Sequence, residues 1–125
     1  MENKHGKSKA DFGLIGRNID YSFSRAYFKE KFEKEQLPYI YVNFDIENIS
    51  SFFDLLKEYK DIKGFNVTIP YKEEVIPLLD SLSKTATIIG AVNTIKITKK
   101  GLKGYNTDHY GFRKALKPLL QPYHR

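Results

Sequence analysis

The sequence contains no cysteine. A disulfide framework, a thiolate zinc site and a cysteine nucleophile are therefore excluded. No apolar run approaches the ~20 residues of a membrane-spanning helix, and the N-terminus lacks the apolar core of a signal peptide. A membrane partner is therefore not expected, and the cytoplasm is the default compartment. Histidine is scarce: His5, His109 and His124 lie far apart and make a weak case for a metal site. What is present suffices for one domain. Of 125 residues, 41% are hydrophobic and 14% aromatic, which supplies one compact core and rules out wholesale disorder.

Acidic charge is missing from the last quarter. Residues 96–125 hold eight Lys/Arg and one Asp, a net of +7, whereas residues 11–95 hold ten Lys/Arg against thirteen Asp/Glu, a net of −3. The basic tail is one footprint of a nucleic-acid binder. Its lysines are not interleaved with stacking aromatics, so a solvated basic surface is the better reading and no nucleic-acid partner is expected.

Residues 1–10 are polar and aperiodic and read as a flexible leader, with a single domain over 11–125. Phe12–Ile15 is a short apolar run closed by Gly16, a strand entering a turn. Phe23 to Glu35 has helical patterning, with Ser24 as N-cap. Tyr39–Phe44 is rich in strand formers. Ser51 and Asp54 resemble a capping box, ahead of Phe52, Leu55, Leu56 and Tyr59 at helical spacing. Gly64 opens a third strand, Phe65–Ile69, and Pro70 suits the first turn of a short helix that Pro77 breaks. Leu78 to Ile89 reads as a further helix. Ala91–Thr98 and Leu102–Tyr105 flank Lys99-Lys100-Gly101 as a hairpin, and an amphipathic helix follows Asn106-Thr107-Asp108. This order predicts an α/β fold of three layers, α/β/α. Its sheet is mostly parallel, with a C-terminal antiparallel hairpin and a closing helix. Ligands in such sheets bind beyond the carboxyl ends of the strands.

Four clusters carry candidate chemistry. Ser22 and Ser24 put two hydroxyls at a helix start, which suits a carboxylate or phosphate, or simple capping. In Asn66-Val67-Thr68-Ile69-Pro70-Tyr71-Lys72, the polar Asn66 and Thr68 interrupt a buried strand and need partners, structural or ligand. Lys72 meets the positive end of a helix dipole, so it is either held in water or placed for a purpose. Gly90-Ala91-Val92-Asn93-Thr94 combines small residues with an amide and a hydroxyl. Asp108, in Gly104-Tyr105-Asn106-Thr107-Asp108, is a helix cap or a functional carboxylate.

The segments IGRNIDYSFS (Ile15–Ser24), GFNVTIPYK (Gly64–Lys72), GAVNT (Gly90–Thr94) and GYNTDHYG (Gly104–Gly111) occur in this order. Together they closely resemble the N-terminal, substrate-binding domain of the shikimate dehydrogenase family, over about Asp11 to Leu120. The resemblance implies NADP-dependent, reversible reduction of 3-dehydroshikimate to shikimate, a step of aromatic amino acid and chorismate biosynthesis. It implies Lys72 and Asp108 as the catalytic pair. It also implies Ser22 and Ser24 at the substrate carboxylate, Thr68 in contact with substrate, and Asn93 at its hydroxyls. An ammonium aimed at the forming alkoxide would stabilise it and donate a proton. Asp108 would hold that ammonium in place and favour its charge.

Three positions depart from the family pattern. Tyr21 and Arg25 stand where a His and a Pro are usual, and Lys84 replaces an acidic residue before GAVNT. No G-x-G-x-x-G run is present. The family's NADP-binding Rossmann domain is thus expected outside this chain, with no cofactor-binding residues here and no turnover by this stretch alone. A homodimer is compatible with the resemblance. A quinate/shikimate-type dehydrogenase domain and a non-catalytic binder of shikimate-like acids are the alternatives.

Overall fold

The computed structural model describes residues 9–19 and 24–107, with the backbone alone at Ser24 and Arg25. Residues 1–8 of the leader expected over 1–10, residues 20–23 with Ser22, and everything from Asp108 onward, where a closing helix was expected, lie outside the described residues. The elements run β1 (Phe12–Gly16), α1 (Ser24–Lys34), β2 (Tyr41–Asp45), α2 (Phe52–Glu58), β3 (Gly64–Val67), α3 (Tyr71–Glu74), β4 (Ser81–Leu82), α4 (Lys84–Ile89), β5 (Thr94–Thr98) and β6 (Gly101–Tyr105).

One six-stranded sheet orders them β2-β1-β3-β5-β6-β4. β1 pairs in parallel with β2 and β3, and β4 with β6, while β3–β5 and β5–β6 are antiparallel. The sheet is thus mostly parallel with an antiparallel hairpin, the expected α/β class. All five residues of β1 are buried, as an apolar strand flanked by two parallel neighbours must be.

Alternation along the strands sends side chains into two cores. On one face Phe12, Leu14 and Tyr41 pack with Phe28 and Phe32 of α1. The Phe28 and Tyr41 rings stack with centroids 4.8 Å apart. On the other face Ile15, Phe44, Phe65 and Val67 meet Phe52, Tyr71, Val75 and Ala86 from α2, α3 and α4 and the segment after α3. Ala10, read as the end of the leader, is buried in this second cluster.

Several local expectations need correction. Ser51 does not cap α2: it closes a 3-10 turn, Ile49–Ser51, and its side chain makes no capping bond. β3 ends at Val67, two residues before the predicted Ile69. α3 ends at Glu74, and Pro77 sits inside a 3-10 turn, Ile76–Leu78, instead of breaking the helix. The long helix over Leu78–Ile89 does not form. Asp80 N–H donates to the Leu102 carbonyl at 2.9 Å and its carboxylate accepts from Leu102 N–H at 2.7 Å. These bonds draw residues 80–82 onto β6 as the short β4. The helix starts only after Ser83, whose hydroxyl accepts from Ala86 N–H at 3.1 Å. It stops at Gly90, whose φ of 78° is the left-handed C-terminal cap that glycine adopts without strain.

Candidate active site

Strand direction brings the motifs to one end of the sheet. β1 and β3 run parallel, so their carboxyl ends, Gly16 and Val67, point the same way. β5 runs against β3, which places its start, and hence Gly90–Asn93, beside the end of β3. β6 reverses again, so Tyr105 and the following Asn106-Thr107 return to the same end.

Backbone hydrogen bonds knit this end together. Thr68 N–H donates to Ile15 C=O at 2.9 Å, and Tyr71 N–H to Thr68 C=O at 3.0 Å. Val67 N–H donates to Asn93 C=O at 2.8 Å, Asn93 N–H to Tyr105 C=O at 2.9 Å, and Val92 N–H to Lys72 C=O at 2.7 Å. Gly16 is what lets Thr68 sit this close. A Cβ there would lie 2.6 Å from the Thr68 methyl and 2.7 Å from Ile19. The Ile69–Pro70 peptide that follows is cis.

The two polar residues of β3 and its end have different fates. Asn66 is structural: its Oδ1 accepts from the Tyr41 hydroxyl at 2.6 Å across the α1-side core. Burial pushes the Tyr41 phenol well above its ordinary range, so it stays a donor. Thr68 is half-buried, and its hydroxyl has no partner among the described residues. Lys72 is also half-buried, on α3, and no described carboxylate pairs with its ammonium. Glu73 and Glu74 follow it in the same helix, offsetting the dipole that a lone lysine would meet.

Asn93 is more deeply committed than the sequence suggested. Its Nδ2 donates to Thr107 C=O at 2.6 Å and its Oδ1 accepts from Thr107 N–H at 2.9 Å. Thr94 Oγ1 donates to the same Oδ1 at 3.0 Å. Asn106 Nδ2 donates to Ala91 C=O at 3.0 Å. The structure thus gathers Thr68, Lys72 and Asn93. Ser22 and Asp108 lie outside the described residues, and so does the side chain of Ser24.

Sequence reasoning passed over three contributors. Asp45, at the end of β2, accepts from Asn18 N–H at 3.0 Å and Ile19 N–H at 3.1 Å, fixing the entry to the serine loop. Asn43 Nδ2 adds a bond to Ile19 C=O at 3.3 Å. Tyr71 hydroxyl donates to Ile46 C=O at 2.5 Å, tying α3 to the segment after β2, while Arg17 lies 5.7 Å over the Tyr71 ring. The rule that polar residues at strand ends deserve scrutiny would have found Asp45; the Tyr71 latch depends on a contact between distant segments.

Chemically, this end of the sheet carries a hydroxyl, an ammonium and an amide N–H, donor groups suited to an oxygen-bearing anion or a carbonyl. Among the described residues no cluster of His, Asp or Glu could hold a metal ion, and no helix is long and apolar enough to cross a membrane.

Comparison with known proteins bears on this end directly. The family model for the shikimate dehydrogenase substrate binding domain matches residues 14–95. A shikimate dehydrogenase (NADP(+)) of Chlorobaculum tepidum is 45% identical over 119 residues, covering 94% of this chain and 40% of that protein. A crystal structure of a shikimate dehydrogenase in complex with NADP+ superimposes with a TM-score of 0.74 at 43% identity, covering 94% of this chain and 40% of the other. One from Thermus thermophilus, in complex with NADP(H) and shikimate, gives 0.72 at 33% identity, covering 87% of this chain and 42% of the other. The chain therefore spans well under half the length of these relatives.

Proposed function

The chain belongs to the shikimate dehydrogenase substrate-binding domain family, and from that premise we propose that it binds shikimate and 3-dehydroshikimate and supplies the acid–base side of their NADP-linked interconversion. The carrying observation is that backbone pairing brings Thr68, Lys72 and Asn93 to the carboxyl end of β3, with a hydroxyl and an ammonium left without described partners. Polar groups at the carboxyl end of β3 that have no described protein partner are available to a ligand.

In this reading Ser22 and Ser24 take the substrate carboxylate, while Thr68 and the spare N–H of Asn93 take ring oxygens. Lys72 stands at the reacting oxygen. Its ammonium stabilises charge growing there and gives up a proton to it, and Asp108 holds the ammonium in place. Among the described residues no Gly-rich turn between strand and helix offers a cradle for a pyrophosphate. NADP, which supplies the hydride, is accordingly assigned mainly to sequence other than these residues. A cytoplasmic location goes with this reading.

Titration of shikimate into the isotopically labelled chain, followed by NMR, tests the site. Binding in the millimolar range, about −4 kcal/mol, is expected, because an open cleft leaves much of the ligand in water. The shifts should centre on Thr68, Lys72 and Asn93. Shifts confined to other parts of the chain would remove the assignment.

A further inference from the structure

The two edges of the sheet are unlike. At one, β4 is only two residues long, too short to template another strand. At the other, β2 runs for five residues. Tyr41–Phe44 contains no charged residue and no proline, and its register with β1 has no bulge, so the usual devices that blunt an edge are missing. The Ile40 carbonyl and the Ile46 N–H both turn toward β1. Alternation between them turns the peptide groups of Tyr41, Asn43 and Asp45 the other way, where no described strand pairs with them.

Beside this edge, between α1 and the start of β2, lies a groove of about 540 Å³ lined by Phe32, Leu37, Ile40 and Tyr41 together with Lys29 and Glu33. Ile40 is 43% exposed. Other charges of α1 are engaged with one another, Lys31 with Glu35 and Lys34 with Glu30. Lys29 and Glu33 are exposed, and neither has an ion-pair partner among the described residues.

We infer that a second copy of the chain docks on this edge, antiparallel to the first, about a two-fold axis beside Ile40. A two-fold contact must be self-complementary, and this one is. Phe28 stacks on Tyr41 and the Phe32 ring lies 5.6 Å from Tyr39, so residues 29–33 of α1 are level with residues 39–41. An axis at that level runs the two α1 helices antiparallel and carries Lys29 of each copy toward Glu33 of the other. It also sets Ile40 beside its own counterpart and brings the outward peptide of Tyr41 into the new strand contact. The spacing agrees. α1 packs over β1 and β2, so two β2 edges at the usual strand separation of about 4.8 Å set the two helices about 10 Å apart, an ordinary helix-packing distance. One free charge of each sign at the groove suits a second copy better than a partner of uniformly acidic or basic character.

Sedimentation velocity on the complete gene product tests this. A monomer–dimer equilibrium with a Kd of about 1–100 μM is expected. Ile40→Lys sets two like charges at the axis and should raise Kd about 10-fold or more. Lys29→Glu and Glu33→Lys should each do the same, because every charge pair occurs twice in the dimer. The double swap, Lys29→Glu with Glu33→Lys, restores opposite charges across the axis and should return Kd to within about 3-fold of the unmodified protein. Both swapped residues are exposed on α1, so the swap decides the matter if Ile40→Lys fails to fold. A dimer indifferent to the single reversals, or a double swap no tighter than they are, overturns the inference. So does a protein that stays monomeric throughout. Hydrogen exchange of the Tyr41 amide then tells what took the place of the second copy: slow exchange in a monomer means that another part of the same polypeptide covers the edge, and fast exchange means that the edge is bare.

Discussion

At the amino end of β1, Asp11 is 2% exposed and its polar atoms are all engaged inside the fold. Its carboxylate accepts from Ile40 N–H at 2.9 Å and from Lys63 Nζ at 3.3 Å, with Lys9 Nζ at 3.6 Å. Its backbone binds Ile40 C=O and Lys63 N–H. At the carboxyl end of the neighbouring β3, Thr68 and Lys72 are half-buried and their polar heads lack described partners. Both ends carry charge near the core, yet only one uses it to close the structure. The difference separates a charge that ties the starts of three strands together from one with no described partner, and it matches strand direction: connections in parallel sheets leave ligand crevices at the carboxyl ends.

The sharpest way to break this contrast is at Lys72. In the complete gene product, Lys72→Ala should cut kcat by at least ~10²-fold, about 2.7 kcal/mol, while urea unfolding of the chain barely changes. A large loss of stability with intact turnover would reverse the assignment of the two ends.

Asp11→Ala is the mirror experiment. It strands Ile40 N–H and takes away Lys63's carboxylate, leaving its ammonium only the Asp61 carbonyl at 3.4 Å. Lys63 is one-third exposed, so the loss stays below that of a fully buried pair, at about 2 kcal/mol of unfolding free energy. Shikimate binding should be unchanged. Denaturation curves together with a shikimate titration would reveal any leakage from one end to the other.

Ser22→Ala should raise KM for shikimate about 10-fold with little change in kcat, as a contact already made in the ground state would. A fall in kcat alone would move Ser22 from holding the carboxylate to the chemistry itself. The smallest effect is expected at Lys34, whose ion pair with Glu30 on α1 is 3.8 Å long and whose side chain is 77% exposed. Lys34→Ala should cost no more than about 0.5 kcal/mol by thermal or urea unfolding. A larger value would mean that a surface charge rivals the sealed one at Asp11.

Much of this contrast was legible beforehand. Asn66 and Thr68 stood out as polar interruptions of an apolar strand and Lys72 as a cation at a helix start, and four motifs in order pointed to the family. Asp11 was read only as the point where regular patterning begins. Its burial depends on Ile40 and Lys63, which lie 29 and 52 residues away. β4 was missed for a related reason. Leu78, Leu79 and Leu82 carry a helix-like spacing, but Asp80 finds both its partners on Leu102, and that pairing outweighs the local preference.

The sequence by itself determined the alternation of strands and helices, the apolar β1, the hairpin about Lys99-Lys100, and the residue types gathered for the chemistry. These depend on side-chain periodicity and turn residues within a few positions of one another. Tertiary structure decided which polar groups are used up and which are left over. Asn66 is satisfied by Tyr41, Asn93 is bound to Thr107, and Thr68 and Lys72 find no partner among the described residues, because hydrogen-bond partners are assigned by strand order and register, which no local pattern encodes.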